Sequence, residues 1–531
     1  VFFDWIMRNV GLFCMITVGN FPTNCIQIVE QIMFLGVDLG SSSIKLSLFD
    51  AEQGAVKGSV SYPKEELAIE AKQQGWAEQH PDLWWENFLT AYDLLLKKTG
   101  ADPKTIKAIG ISYQMHGLVL VDEDQQVLRS SIIWCDSRAV NIGSEAFEAL
   151  GSDYCLPNLL NSPGNFTASK LAWVKEFEPE VFSRAHKFML PGDFLAMKLS
   201  KRITTTQTGL SEGVFWDFNE RSVSKKLLDE FGFGEELIPE IVPAIGADIT
   251  IDKEVAQELG LPEDVKITYR GGDQPNNAFS LNVLKPGEIA ATAGTSGVIY
   301  AVTEKNAYDK KSRINTFLHV NDEEAAPKNG ILICINGTGI LYSWLKKILN
   351  TGRGSIDYEQ MNEMVDSVQP GSEGLLCLPF GNGAERIFEN QLIGSHLLNM
   401  DFNRHENRHL LRASLEGIVY ALNLGFEMLS DLDVPQNTIR AGKANLFLSK
   451  SFREIFVNVT GTRLELYDTD GSVGAARGAA LGVGFFSTEE EAFASLTKLE
   501  EMEPNAELTA KYQALYQDWK QSIDKHEFYK F

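Results

Sequence analysis

Two aspartates hold the most chemical promise, each set where a β-rich run meets glycine and small polar residues. Asp38 stands in GVDLGSSSIK, just ahead of Gly40, Ser41, Ser42 and Ser43. Glycine lets a ligand approach the main chain closely, and hydroxyls with successive N–H groups suit phosphate oxygens. The segment is not a P-loop: it lacks G-x-x-x-x-G-K-[ST], and a second β-rich run follows where that motif needs a helix. A carboxylate at the end of an apolar strand is placed to hold a hydrated Mg²⁺, which makes Asp38 the candidate metal residue. A solvated hairpin turn is the alternative. Asp273 stands in ITYRGGDQPNNAFSLNV, after Gly271 and Gly272 and before a predicted helix with Pro275 in its first turn. A carboxylate there is a helix N-cap or a general base. The positive end of the helix predicts an ionised, weakly basic Asp273. Weak basicity suffices for phosphoryl transfer, whose loose transition state does not require early loss of the acceptor proton.

Gly294, Thr295, Ser296 and Gly297 in AATAGTSG form a second small-residue turn, either a phosphate-facing nest or simply a tight turn. Ala441 to Asn445 (AGKAN) and Gly471 to Gly482 (GSVGAARGAALG) are segments with room for a flat adenine and ribose, although close helix packing explains the second equally well. In YQMHG, Gln114 and His116 bring hydrogen-bonding groups that suit a polyol over an apolar floor at Met115, with WCDSR following. A histidine in this setting is otherwise a satisfied core residue.

These residues need scaffolds. FLGVDLGSSSIKLSLFD reads as a hairpin, and EIAATAGTSGVIYAV as a looser copy about 255 positions later. The repetition predicts two homologous halves whose hairpin tips face one cleft. Between them lie a helical WAEQHPDLWWENFLTAYDLLLKKTG, a strand IKAIGISY, and a hairpin around Asp122 to Gln126. The strand LLCLPF, a long helix NRHLLRASLEGIVYALNLGFEML and the Gly/Ala-rich helix follow. Alternating strands and helices predict an α/β class with mixed sheets. The expected divisions are residues 33–284, residues 285–487, and a helical tail over 488–531.

The 531 residues, 44% hydrophobic and 23% charged, fit a globular chain of two domains. A net charge of −24 excludes the broad positive surface that non-specific nucleic-acid binding needs. An anionic ligand must therefore find local donors. The six cysteines are scattered without C-x-x-C, and the eight histidines without H-E-x-x-H, which predicts a reduced cytoplasmic protein with no disulfide frame or zinc site. From Met33 onward no apolar run reaches the ~18 residues of a membrane span. Val10 to Gly19 is long enough for a signal-peptide core, but Asp4 beside Arg8 denies it a positive start. Residues 1–32 are expected to be an upstream extension with no role in the fold, non-native or disordered.

The motifs GVDLGSSSIK, GWAEQHPDLWW, ISYQMHGLVLVD, IIWCDSR, RGGDQPNNAF, TAGTSG and DGSVGAARGAALG together resemble the FGGY family of carbohydrate kinases, in the superfamily of sugar kinases, Hsp70 and actin. A lysine–tryptophan signature matches at Lys170, Leu171 and Trp173, and a later one at His409 to Gly417. Pro379 to Phe388 approximates the family's PYLxGERTP, keeping Glu385 and Arg386. The resemblance implies two ribonuclease H-like domains with mixed sheets, flanking helices and an interdomain cleft. It implies Asp273 as proton acceptor, Asp38 at the Mg²⁺ and phosphate end, and Met115 and His116 on a ketose. Gln274 stands where the family commonly has an asparagine that contacts the sugar. Gly40, Ser41, Ser42 and Gly294, Thr295, Ser296 would face the nucleotide phosphates, with Gly442 and Asn445 near the adenosine. The activity implied is ATP- and Mg²⁺-dependent phosphorylation of D-xylulose to D-xylulose 5-phosphate by a cytoplasmic enzyme, with a homodimer as an option, that binds neither nucleic acid nor membrane. Alternatives are a sister kinase for glycerol, gluconate, ribulose or fuculose, and a non-catalytic binding protein.

Overall fold

A computed structural model describes residues 31–350 and 355–525. The segment expected to be an extension, residues 1–32, lies almost wholly outside the described residues. The first sheet contains β1 (Met33–Leu39), β2 (Ile44–Asp50), β3 (Ala55–Tyr62), β4 (Ile106–Tyr113) and β5 (Lys266–Gly272), in the order β5-β4-β1-β2-β3. β1 pairs antiparallel with β2 and parallel with β4, and β4 parallel with β5. The second sheet contains β6 (Glu288–Ala293), β7 (Gly297–Thr303), β8 (Asn315–Leu318), β9 (Asn329–Ile335), β10 (Thr438–Gly442), β11 (Leu464–Tyr467) and β12 (Lys498–Met502), in the order β8-β9-β7-β6-β10-β11-β12. Here β6 pairs antiparallel with β7 and parallel with β10, and β10 parallel with β11. Both predicted hairpins therefore form, and each is extended by parallel strands on the side of its first strand.

The helices used below are α1 (Pro81–Thr99), α2 (Thr167–Phe177), α3 (Pro191–Ser200), α4 (Gln207–Glu212), α5 (Asp273–Ser280), α6 (Gly339–Leu349), α7 (Asn407–Asp431), α8 (Gly471–Gly482) and α9 (Ala506–Lys525). α1 starts with Pro81 in its first turn and ends at Gly100, whose φ of 63° suits a left-handed cap. Trp84, Phe88, Ala91, Tyr92 and Leu95 recur at helical spacing and form its buried face.

Central strands read as continuous apolar runs because both faces are covered. Met33, Leu35, Val37 and Leu39 of β1 join one core with residues of α1 and α3, whereas Phe34 joins another with Ala476, Ala479 and Ala480 of α8. In the second sheet Ile289 and Ala291 face α7, and Ala290 faces Ala278 of α5 and Leu281 just beyond it. The helix that follows the first sheet's β5 thus touches the second sheet while Phe279 and Asn276 stay on Tyr269 of β5, and the helix that follows β11 is packed under the first sheet. Gly36 and Gly110 make the second docking possible: a Cβ on either would strike the α8 backbone at Ser472 or Ala475. Close packing, and not room for an adenine, is what the Gly/Ala-rich segment provides.

The tail differs from the expected helix. Lys498–Met502 adds an antiparallel edge strand beside β11, and α9 follows it. α9 buries Tyr512, Tyr516 and Trp519, with Trp519 Nε1 donating to Cys377 O at 2.8 Å. The four described cysteines are free, and no described helix is long and apolar enough to cross a membrane.

Candidate functional site

Asp38 ends β1 with Lys45 opposite it on β2 and Ser112 beside it on β4. Ser112 Oγ donates to Asp38 Oδ1 at 2.8 Å. Burial raises the Asp38 carboxyl above the ordinary aspartate range, and the nearby Asp470 adds to the rise. Asp470 caps α8, accepting from Ser472 N at 2.9 Å and Val473 N at 3.2 Å, and Lys45 Nζ pairs with it at 2.7 Å.

Asp273 is the first residue of α5; Gly272, not Asp273, occupies the cap position. Its carboxyl is pushed up to about 7, first by burial and then by the charge of Asp38, while hydrogen bonds from Gln274 only partly offset the rise. The expectation of an ionised weak base is therefore corrected. Desolvation beside a second carboxylate outweighs the helix end, which is worth at most ~2 kcal/mol in partly buried settings. The result is a group matched to proton transfer near neutral pH.

The Gln114–His116 loop adjoins the start of this helix. A Cβ on Gly272 would come within 2.6 Å of Met115 Cγ and would strike Glu212 Oε2, so glycine lets the end of β5 press against both. His116 has φ 60°, a left-handed conformation that a histidine holds only when its surroundings impose it. Lys170 does part of this: fully buried on α2, its Nζ donates to His116 O at 2.8 Å and Ile133 O at 3.0 Å. Burial draws the Lys170 ammonium down to about 7. Lys170 thus acts as a strut under the Met115–His116 loop, and Trp173 on the same helix packs edge-on against Trp76 at 5.3 Å.

Glu212, at the end of α4, supplies the other support, accepting from His116 N at 3.3 Å through Oε1. Its main-chain carbonyl lies 2.9 Å from His116 Nδ1. A carbonyl only accepts, so Nδ1 carries the proton. Burial holds His116 down to about 3, so the ring is neutral and Nε2 presents a lone pair. Phe166 and Phe317 surround the ring at 4.9 and 5.4 Å, the second of them from β8 in the other sheet. The buried Glu212 carboxyl is itself raised well above its usual range, by burial first and also by Asp273.

Gln114 is turned inward. Its Nε2 donates to Gln79 Oε1 at 3.3 Å, and Gln79 Nε2 donates to Ser41 O at 2.7 Å, which links the Gln114–His116 loop to the first turn. That turn closes through Gly40 N to Ser43 O at 3.0 Å, with Ser42 exposed and Ser41 Oγ accepting from Trp134 Nε1 at 3.3 Å.

Gly294 and Thr295 border a cavity of about 490 Å³ together with Asn445, Tyr342, Tyr358 and Asn362. Ser296 and Gly442 are not among the residues lining it. The start of α6 is fastened to this turn, with Gly339 N donating to Gly294 O at 2.8 Å and Thr338 Oγ1 to Thr295 O at 3.1 Å. Ser449 Oγ and Tyr342 OH both donate to Asn362 Oδ1, at 2.9 and 3.3 Å, which fixes that amide's orientation. Glu212, Asp470, Tyr342, Tyr358 and Asn362 were not foreseen. None stands in a spacing that marks it, and only the placement of α4, α8 and the helix Tyr358–Asp366 brings them in.

Among the described residues no group of three or more His, Cys, Asp or Glu side chains could hold a metal.

Residues 33–280 match the model of the FGGY family of carbohydrate kinases, N-terminal domain. A xylulose kinase from Bacillus subtilis (strain 168) is 29% identical over 495 residues, spanning 92% of this chain and 95% of that protein. Among solved structures, a xylulose kinase from Rhodospirillum rubrum aligns with TM-score 0.83 at 23% identity, over 93% of this chain and 98% of that one. A gluconate kinase from Lactobacillus acidophilus aligns with TM-score 0.83 at 21% identity, over the same shares.

Proposed function

Because the chain belongs to the FGGY family of carbohydrate kinases, we propose that it is a xylulokinase, transferring the terminal phosphoryl group of ATP to O5 of D-xylulose to give D-xylulose 5-phosphate and ADP. One observation carries this reading: Asp273, with its carboxyl near 7, adjoins both Asp38 and the Met115–His116 loop. Met115 offers an apolar floor and His116 Nε2 accepts a sugar hydroxyl proton. Asp273 receives the O5 proton as that oxygen attacks in line. Gln274 follows it and is the next sugar contact. Positioning of this kind can account for ~7–11 kcal/mol of a barrier.

The donor set suits magnesium. Asp38 and Asp273 repel one another, and a hydrated divalent cation held by Asp38 would relieve that repulsion while neutralising charge on the phosphates. Gly40, Ser41 and Ser42 approach those phosphates from one turn, and Gly294, Thr295 and Ser296 from the other. Adenosine fills the cavity bordered by Asn445 and Tyr358, with Gly442 beside it. On this reading residues 33–284 supply the sugar site and base, and residues 285–487 supply the nucleotide site, in an enzyme of the cytoplasm.

The test is an ADP-release assay across D-xylulose, D-ribulose, L-fuculose, glycerol and gluconate. The highest kcat/KM is expected on D-xylulose; a lead by glycerol or gluconate would overturn the substrate assignment.

A further inference from the structure

Near the Met115–His116 loop, Arg386 carries a charge that pairs with no anion among the described residues. Arg386 is half-buried, its Nε donates to Ser312 O at 3.1 Å, and it forms no ion pair among the described residues. Its terminal nitrogens have no hydrogen-bond partner there either. Desolvating a guanidinium is costly unless something receives its protons. In this chain of 72 acidic residues the lack of a partner is notable.

Its mounting is firm. The preceding Glu385 is fully buried and accepts from Asn336 N at 3.1 Å, just ahead of the Thr338–Gly339 segment fastened to the Gly294–Thr295 turn. Its location is informative as well. The guanidinium carbon lies 5.8 Å from the Phe166 ring centroid, and Phe166 stands edge-on to His116 at 4.9 Å. The charge of Arg386 is among the causes that hold His116 neutral, after burial and Lys170. Through Phe166 the side chain therefore lies beside the His116 end of the proposed sugar site.

We propose that Arg386 is a specificity-determining sugar clamp, whose terminal nitrogens donate to the oxygens at C1 and C2 of the ketose, remote from the phosphorylated hydroxyl. The pairing of chemistries supports this. His116 Nε2 only accepts and a guanidinium only donates, so the two together read an adjacent carbonyl and hydroxyl in one orientation. The inference rests on the reading that the acceptor sits on Met115 and His116.

The experiment compares wild type, Arg386→Lys and Arg386→Met as full chains, measuring kcat and both KM values with D-xylulose and with its 1-deoxy analogue. Arg386→Met should raise the D-xylulose KM roughly tenfold or more, the scale of a lost charged hydrogen bond. The ATP KM should stay within about twofold, and Arg386→Lys should recover part of the loss. Wild type should favour D-xylulose over the 1-deoxy sugar, and Arg386→Met should no longer distinguish them; a merely structural arginine would leave that ratio intact. An unchanged ratio, or a loss that falls on the ATP KM, overturns the clamp. If wild type prefers another acceptor, the substrate reading fails, and the KM split of Arg386→Met for that preferred acceptor still decides the role of Arg386.

Discussion

The two sheets follow one plan, and the helix after the corresponding strand in each begins at an aspartate, yet the two carboxylates are driven in opposite directions. Asp273 opens α5 with no cation paired to it among the described residues, and burial with Asp38 pushes it up to about 7. Asp470 opens α8, where burial also works to raise it, but Lys45 and the Ser472 donors outweigh burial and hold it below the ordinary range. The contrast teaches that a helix start does not by itself make a base or a cap. The donors around the carboxylate decide which, Lys45 from 425 positions away in the sequence among them.

The sharpest way to break this contrast is to neutralise each acid. Asp273→Asn should lower kcat by roughly a thousandfold, within the span expected for a general base, while calorimetry still detects D-xylulose binding. Asp470→Asn should retain turnover within about tenfold of wild type, since its role is to hold α8 and Lys45. Comparable losses from the two would erase the distinction.

Titration gives the next largest effect. A base that must be deprotonated, with its pKa raised to about 7, predicts that kcat/KM falls about tenfold per pH unit below that point and levels off above it. A profile flat down to pH 5 would assign the proton elsewhere. The same shift bears on stability with a definite sign. Unfolded, the carboxyl ionises near 3.9, while folded it keeps its proton to about 7, so stability is lost as pH rises through that window. Asp273→Asn escapes this loss, and its urea midpoint should exceed that of wild type at pH 8 and match it near pH 3.

Smaller effects probe how α8 is held. Gly110→Ala, whose new methyl meets the α8 backbone, should destabilise by about 1–3 kcal/mol in urea denaturation. Asp470→Ala, which removes both the cap and the ion pair, should cost about 1 kcal/mol, with Asp470→Asn recovering part of it.

Much of the scaffold was legible because hairpin turns and helix caps are local. DLGSSS and TAGTSG announce their turns, and Gly100 ends its helix, without help from distant residues. Asp38 and Asp273 were legible for the same reason, each lying at the junction of a run and a turn. What escaped notice depends on tertiary contact. The ionisation state of Asp273 follows from burial that no neighbour in sequence reports, and Glu212 in TGLSEG has the pattern of any surface acid until α4 packs it beneath His116. The strand Lys498–Met502 was read as helical because its Lys/Glu composition reflects an exposed edge, not its pairing with β11. Lys170 was found only through a family signature; a buried lysine that serves two carbonyls leaves no periodic trace.

The docking of α8 on the first sheet also bears on how the polypeptide is made. While a ribosome is still elongating, the first sheet has every strand it needs but lacks the helix that covers Gly36 and Gly110. At ~5–20 residues per second, the interval between finishing β5 and releasing α8 is roughly 10–40 s. During that interval the nascent chain exposes a groove matched to a helix of small residues, and occupancy of this groove by a chaperone, or by the same helix from a neighbouring nascent chain, becomes a kinetic hazard of biosynthesis.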